Sequence, residues 1–273
     1  MSTPPRSSLR SAIVTRLRAA GCVFAEDEAQ LLSSAARTPA GLAAMVDRRA
    51  AGLPVEHVLG WAQFCGVRIA VDPGVFVPRR RTEFLVHHAA ELTPERAVVV
   101  DLCCGSGALG VALVAAAGGA DRVELHAVDI DPAAVRCARR NLTGAGGRVY
   151  QGDLCEPLPA TLRGRVDLLV ANVPYVPTEA IGMLPPEARL HEPRVALDGG
   201  ADGLAVQRRV AAVAPLWLAP GGHLLIETSE RQAPLTAEIF ASSGLVPRVV
   251  RSDELDATVV IGTAAATSGA TVD

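Results

Sequence analysis

Two segments of the chain combine residue types and spacings that can do chemistry. In the first, Asp101-Leu102-Cys103-Cys104-Gly105-Ser106-Gly107-Ala108-Leu109-Gly110, glycines stand in G-x-G-x-x-G spacing between an apolar run and an Ala/Leu-rich one. Glycines there let the backbone turn tightly and let a ligand approach the start of a helix. Nineteen residues past Gly110, Asp129 ends the next apolar run, with Ile130 behind it. A carboxylate at that strand end can accept hydrogen bonds from two ribose hydroxyls. The pattern fits a dinucleotide and S-adenosylmethionine alike, and a glycine turn that merely packs a helix on a strand is the plain structural alternative. Asp101 discriminates, because a carboxylate at the head of the loop repels a pyrophosphate but suits a ligand carrying an ammonium and a sulfonium. S-adenosylmethionine is therefore favoured. The step Gly152-Asp153-Leu154 adds an acceptor for an adenine amino group and an apolar wall, although read alone it is equally a surface turn.

The second segment, Asn172-Val173-Pro174-Tyr175, ends another apolar run at the same edge of the expected sheet. An amide or exocyclic amino nitrogen is a poor nucleophile because its lone pair is delocalised. The Asn172 side-chain oxygen and the Val173 carbonyl can accept its two N–H bonds and aim the lone pair, while Tyr175 covers the planar group. A strand ending in an Asx turn beside a buried tyrosine is the alternative.

These residues need a frame, and the periodicity supplies one. Residues 1–60 carry helical spacing: Leu9, Ile13, Val14 and Leu17 share a face, Ala29, Leu31, Leu32 and Ala35 suggest a second helix, and Thr38-Pro39 starts a third that Gly52 ends. Residues 61–80 read as a hairpin linker, with Phe64, Val67, Ile69 and Val71 alternating around Gly66. Thr82 is placed to cap a following helix. Residues 81–263 alternate apolar strands with amphipathic helices, the pattern of an α/β Rossmann-like sheet, mostly parallel and seven-stranded, and 264–273 read as a disordered tail.

The two segments, taken with Pro78-Arg79-Arg80-Arg81-Thr82-Glu83, Ala127-Val128-Asp129-Ile130-Asp131-Pro132, His191-Glu192-Pro193 and Asp198-Gly199-Gly200-Ala201-Asp202-Gly203-Leu204, resemble the HemK/PrmC-type protein-(glutamine-N5) methyltransferases over nearly the whole chain. The resemblance implies a class I methyltransferase that modifies the glutamine of the Gly-Gly-Gln loop in a peptide-chain release factor. It implies S-adenosylmethionine held by Asp101, Cys103, Gly105, Gly107, Asp129, Ile130, Asp153, Leu154 and Asn172. It also implies catalysis by Asn172, Val173, Pro174 and Tyr175, without a metal. The family pattern is Asn-Pro-Pro-Tyr; valine at 173 keeps the carbonyl but frees a φ that proline would fix. The helical region is then the substrate-recognition domain.

Composition narrows the alternatives. All 26 basic residues among the 273 are arginine, and 29 acids leave a net charge of -3. A broad grip on nucleic acid or an anionic membrane needs the opposite balance. Direct nucleic-acid binding is thus not expected, which counts against an adenine-amino methyltransferase acting on a flipped base. The six scattered cysteines form no metal-ligand spacing and point to a reducing cytoplasm. The N-terminus has no signal-peptide pattern, and a cytoplasmic monomer without a membrane segment is expected. A nicotinamide dehydrogenase is disfavoured by Asp101, and a non-catalytic S-adenosylmethionine-binding adaptor is the remaining alternative. The run Arg79 to Arg81 reads as solvated charge, with guidance of an acidic partner as the other possibility.

Overall fold

A computed structural model describes residues 6–266. The expected disordered tail lies outside the described residues from position 267, as do positions 1–5 of the N-terminus. The chain opens with four helices, α1 (Arg6–Ala19), α2 (Ala25–Ala35), α3 (Pro39–Ala50) and α4 (Val55–Leu59), which bury Ile13, Leu17, Ala29, Leu32, Val46 and Val58 against one another. Thr38 caps α3 as its sequence suggests, its hydroxyl accepting from the Gly41 N–H at 3.0 Å with Pro39 in the first turn. One buried arginine ties this region to the rest. Arg49, 4% exposed, donates through Nε to Glu28 of α2 at 2.6 Å and pairs through Nη2 with Glu187, far along the chain, at 2.6 Å.

The hairpin is β1 (Trp61–Phe64) with β2 (Val67–Ala70), turned through Cys65 and Gly66 at φ of 46° and 75°. Positive φ at both turn positions matches the twist of the paired strands. A single 3₁₀ turn, Arg80–Thr82, leads into α5 (Glu83–Glu91). Thr82 does not cap this helix: it already has helical dihedrals, and its side chain bonds no N–H of α5. The turn draws the cap position into the helical path, so the hydroxyl is free to face elsewhere. Glu83 instead reaches back to the hairpin and accepts from the Cys65 N–H at 2.9 Å.

The sheet is then built by β3 (Ala97–Leu102), α6 (Ala108–Ala116), β4 (Val123–Asp129), α7 (Pro132–Leu142), β5 (Arg148–Gln151), β6 (Val166–Ala171), α8 (Pro186–His191), α9 (Ala205–Trp217), β7 (Leu218–Thr228), α10 (Ala233–Ser242), β8 (Val246–Ser252) and β9 (Ala257–Thr263). Its seven strands run in the order β5-β4-β3-β6-β7-β9-β8, parallel except for β9, which is antiparallel to both neighbours. Alternate residues supply two cores: Val99, Leu125 and Leu168 point to one face, Val100, Val128 and Leu169 to the other. From β3 the chain winds outward through β4 and β5, then returns to lay β6 on the opposite side. The strand ends flanking that reversal form the crevice in which open α/β sheets hold ligands. Among the described residues no helix is long and apolar enough to cross a membrane.

Candidate active site

A cavity of about 690 Å³ opens at this crevice. It is lined by the glycine loop, Asp129, Ile130 and Leu154, by residues 172–175, and by Phe24, Leu31 and Val55 of the helical region.

The loop leaves β3 through alternating left-handed residues, with φ of 54° at Cys103, 55° at Gly105 and 77° at Gly107. Its shape is fixed from β4. The Gly105 N–H donates to Asp129 Oδ2 at 2.8 Å, the Asp131 N–H to Oδ1 at 2.9 Å, and the Cys104 N–H to the Val128 carbonyl at 3.0 Å. Each Asp129 oxygen keeps a lone pair for a ligand. Burial raises this carboxyl above its ordinary range, partly offset by the backbone N–H groups. Ile130 is half-exposed on the wall, and Leu154 stands there with φ of 47°.

Two residues expected to hold the ligand, Asp101 and Gly107, are not part of the cavity wall. Asp101 is fully buried and is not part of the cavity wall. Its Oδ2 accepts from the Gly110 N–H in the first turn of α6 at 3.1 Å, and Oδ1 has no partner among the described residues. The cause is its place on β3, an interior strand whose two faces are both covered by helices. Burial pushes the carboxyl up to about 8, against the opposing Gly110 N–H and with the negative charge of Asp129 adding to the rise. Gly107, also absent from the wall, begins α6; a Cβ there would stand 3.1 Å from Leu142 and 3.3 Å from the Ala138 backbone. Its glycine serves helix packing. Asp153 does line the cavity, but as the partner of Arg209 from α9 at 2.7 Å. Cys103 lines it too, with its thiol pushed up by burial and by Asp129, the opposite of what a nucleophile needs.

After β6, Asn172, Val173, Pro174 and Tyr175 all reach the cavity wall. Asn172 donates from Nδ2 to Thr82 Oγ1 at 3.3 Å, which leaves Oδ1 as the amide's acceptor. Val173 is 1% exposed and packs its side chain into the core. The Tyr175 hydroxyl receives a hydrogen bond from Arg81 Nη2 at 2.6 Å and donates to Glu227 Oε1 at 3.2 Å. Burial and the adjacent Glu227 raise this phenol well above its ordinary pKa, so it stays protonated. The tyrosine's backbone is held as well: its carbonyl accepts from Gln232 Nε2 at 3.0 Å and lies where a Cβ on Gly203 would stand only 2.3 Å away.

The arginine run is therefore not free surface charge: two of its three members are paired, although Arg81 keeps part of its side chain in solvent. Arg79 binds both oxygens of the buried Glu192 at 2.6 Å, and Arg81 pairs with the buried Glu227 at 3.1 Å, while Arg80 stays exposed. Thr82, Arg81, Glu227 and Gln232 escape a reading of the sequence by local pattern. One signal was available, since Glu227 closes an apolar strand as Asp129 does, and an acid in that position faces the crevice rim.

Comparison with known proteins agrees with this geometry. The family model of the methyltransferase small domain matches residues 66–184. A release factor glutamine methyltransferase of Geobacter sulfurreducens is 40% identical over 202 residues, 73% of this chain and 69% of that protein. One of Mycobacterium leprae is 35% identical over 270 residues, 90% of this chain and 93% of its own length. A 4-amino-L-phenylalanine/4-methylamino-L-phenylalanine methyltransferase of Streptomyces pristinaespiralis is 37% identical over 206 residues, 73% of this chain and 69% of that one. Among solved structures, a methyltransferase from Pyrococcus furiosus superposes with a TM-score of 0.55 at 15% identity, covering 73% of this chain and 90% of that one, a likeness of fold. With one relative 35% identical over 93% of its length and another 40% identical over 69% of its own, the chain belongs to the release factor glutamine methyltransferase family.

Proposed function

We propose that the protein methylates the side-chain amide nitrogen of a glutamine in a peptide-chain release factor, in its Gly-Gly-Gln loop, with S-adenosylmethionine as methyl donor. The observation that carries this reading is that one cavity is walled both by the glycine loop with Asp129 and by the turn Asn172 to Tyr175. A cosubstrate on the first and an amide on the second share one space. The cavity's size lies within the range of small-molecule sites, and its wall offers what the cosubstrate would need. Asp129 takes the ribose hydroxyls, Ile130 and Leu154 flank the adenine, Asp153 accepts from its amino group, and the backbone at Cys103 and Gly105 borders the methionyl part. Asp101 and Gly107 act from below by holding the loop against α6. When bound, the cosubstrate supplies a methyl group on a positively charged sulfur.

The chain's own work is positioning. Asn172 Oδ1 and the Val173 carbonyl accept the two N–H bonds of the substrate amide, which turns the nitrogen lone pair toward the donor. Pro174 stiffens the turn and Tyr175 covers the amide plane. Fixing reactants in line is worth several kcal/mol of barrier. The nitrogen becomes acidic once methylated and loses a proton to water, so the scheme needs neither a metal nor a strong base. Residues 1–60 serve as the substrate-recognition domain, since a single amide offers too little area to select one glutamine among many; the presence of Phe24, Leu31 and Val55 on the cavity wall supports this. Such a substrate is met in the cytoplasm, by a protein acting as a monomer.

The test is incubation with a purified release factor and methyl-labelled S-adenosylmethionine, followed by peptide mapping. Label on the glutamine of the Gly-Gly-Gln loop is the expected result. Absence of label there, with label on 4-amino-L-phenylalanine in a parallel incubation, would transfer the reading to an arylamine acceptor.

A further inference from the structure

Glu227 is 1% exposed, and its Oε2 has no hydrogen-bond partner among the described residues. Burying a carboxylate in that half-satisfied state is costly. What the carboxylate does hold is informative. Its Oε1 accepts from Arg81 Nε at 3.1 Å and from the Tyr175 hydroxyl at 3.2 Å, while Arg81 Nη2 donates to the same hydroxyl at 2.6 Å. Three elements distant in sequence, the turn before α5, the loop after β6 and the end of β7, thus converge on one phenol oxygen. The Tyr175 ring is half-buried with a face on the cavity, and its backbone carbonyl is held by Gln232. Its two ends are fixed independently.

Such fixing has a use in this particular chain. Residue 173 is valine, so the φ of the turn carrying Tyr175 is not locked by a pyrrolidine ring. A turn that is free at one of its own dihedrals can still be held from outside, by bonds at the tip of the side chain it presents. A charged pair does this better than neutral donors, because hydrogen bonds to ionised groups are shorter and stronger.

Building on the reading that Tyr175 covers the substrate amide, we propose that Arg81 and Glu227 are positioning residues for methyl transfer. They clamp the Tyr175 hydroxyl so that the ring presents a fixed wall to the acceptor, and they replace from outside the stiffness that valine at 173 does not give. Neither touches the reacting atoms.

The experiment has two arms. In the first, the protein is produced with 3-fluorotyrosine; it has two tyrosines, Tyr150 and Tyr175, and Tyr175→Phe assigns their fluorine signals. Glu227→Gln and Arg81→Met should each move the Tyr175 signal toward that of free 3-fluorotyrosine and leave Tyr150 in place. A Tyr175 signal unmoved in both variants overturns the proposal. Glu227→Gln preserves shape and Arg81→Met attacks the opposite partner, so a folding defect in one, seen as movement of the Tyr150 signal, leaves the other to decide. In the second arm, with a release factor as substrate, each variant should lower kcat about tenfold or more while the KM for S-adenosylmethionine stays within about twofold. In a Tyr175→Phe background the Glu227→Gln change should cost less than about twofold further, because the hydroxyl it acts through is gone. Equal losses in both backgrounds overturn the proposal. If the wild-type protein leaves the release factor unmodified, the functional reading fails, and the fluorine signals, which need no substrate, still decide whether the clamp exists.

Discussion

Replacing Asp101 by asparagine exchanges a buried carboxyl for a neutral group of nearly the same shape that can still accept from the Gly110 N–H. In the native chain burial raises this carboxyl to about 8, whereas in the unfolded chain it titrates near the ordinary value of about 3.9. Between these limits the folded protein holds a proton that the unfolded chain has lost. Its contribution to stability is therefore complete below about pH 4 and declines as pH rises, by about 1.4 kcal/mol per pH unit, until the folded carboxyl itself ionises near pH 8. The unpartnered Oδ1 explains why ionisation is resisted, because the charged form would face no donor beyond Gly110. Asp101→Asn removes the titration without removing the acceptor. Its stability relative to wild type should climb by on the order of several kcal/mol between about pH 4 and about pH 9. Urea unfolding of both proteins at a series of pH values, followed by circular dichroism, measures the difference. Parallel stability curves across that range would refute the reasoning, since they would mean that the carboxyl ionises in the fold as easily as outside it.

Asp129→Ala should weaken binding of S-adenosylhomocysteine by about 1–3 kcal/mol as the ribose acceptor is lost; calorimetry giving unchanged affinity would put the ribose elsewhere. Asn172→Ala should leave that affinity intact but slow methyl transfer by roughly 10²-fold or more, and single-turnover kinetics equal to wild type would remove Asn172 from the acceptor site. Arg49→Met should destabilise the protein by about 3–5 kcal/mol, because it leaves Glu28 buried without its cation. A loss below about 1 kcal/mol in urea unfolding would show that the helical region and the α8 segment are held by other contacts.

The order of strands and helices was legible because strands such as β3 (Ala97–Leu102) and β6 (Val166–Ala171) are largely apolar and the breaks between elements carry glycine, proline or an acid. Thr38-Pro39 announced its helix by local chemistry that no tertiary contact opposes. Thr82 carried the same kind of signal, but a preceding 3₁₀ turn put its hydroxyl beside Asn172 instead. That residues 172–175 reach the cavity wall together was readable, because there neighbours in sequence are neighbours in space. The burial of Asp101 was not readable, because its position in the loop motif shows nothing of which strands are interior. The pairs Arg79 with Glu192 and Arg81 with Glu227 span 113 and 146 residues, and a run of three arginines contains no hint of the acids that will neutralise two of them.

The strand order also sets a schedule for the growing chain. The helices α1 to α4 and the hairpin make mostly local contacts and can form as soon as they are synthesised, whereas β3 pairs first with β4 and waits for its other neighbour. That neighbour, β6, starts at Val166, well after β3 ends at Leu102. Until it is made, the half-sheet β5-β4-β3 carries an open edge at the strand destined to be the most buried, with Val99, Val100 and Leu102 beside it. Exposed apolar edges of this kind are where nascent chains join one another. Slowing translation between Leu102 and Ala171 should therefore lower the soluble yield more than slowing it after β7 has been made, and equal yields would refute this schedule.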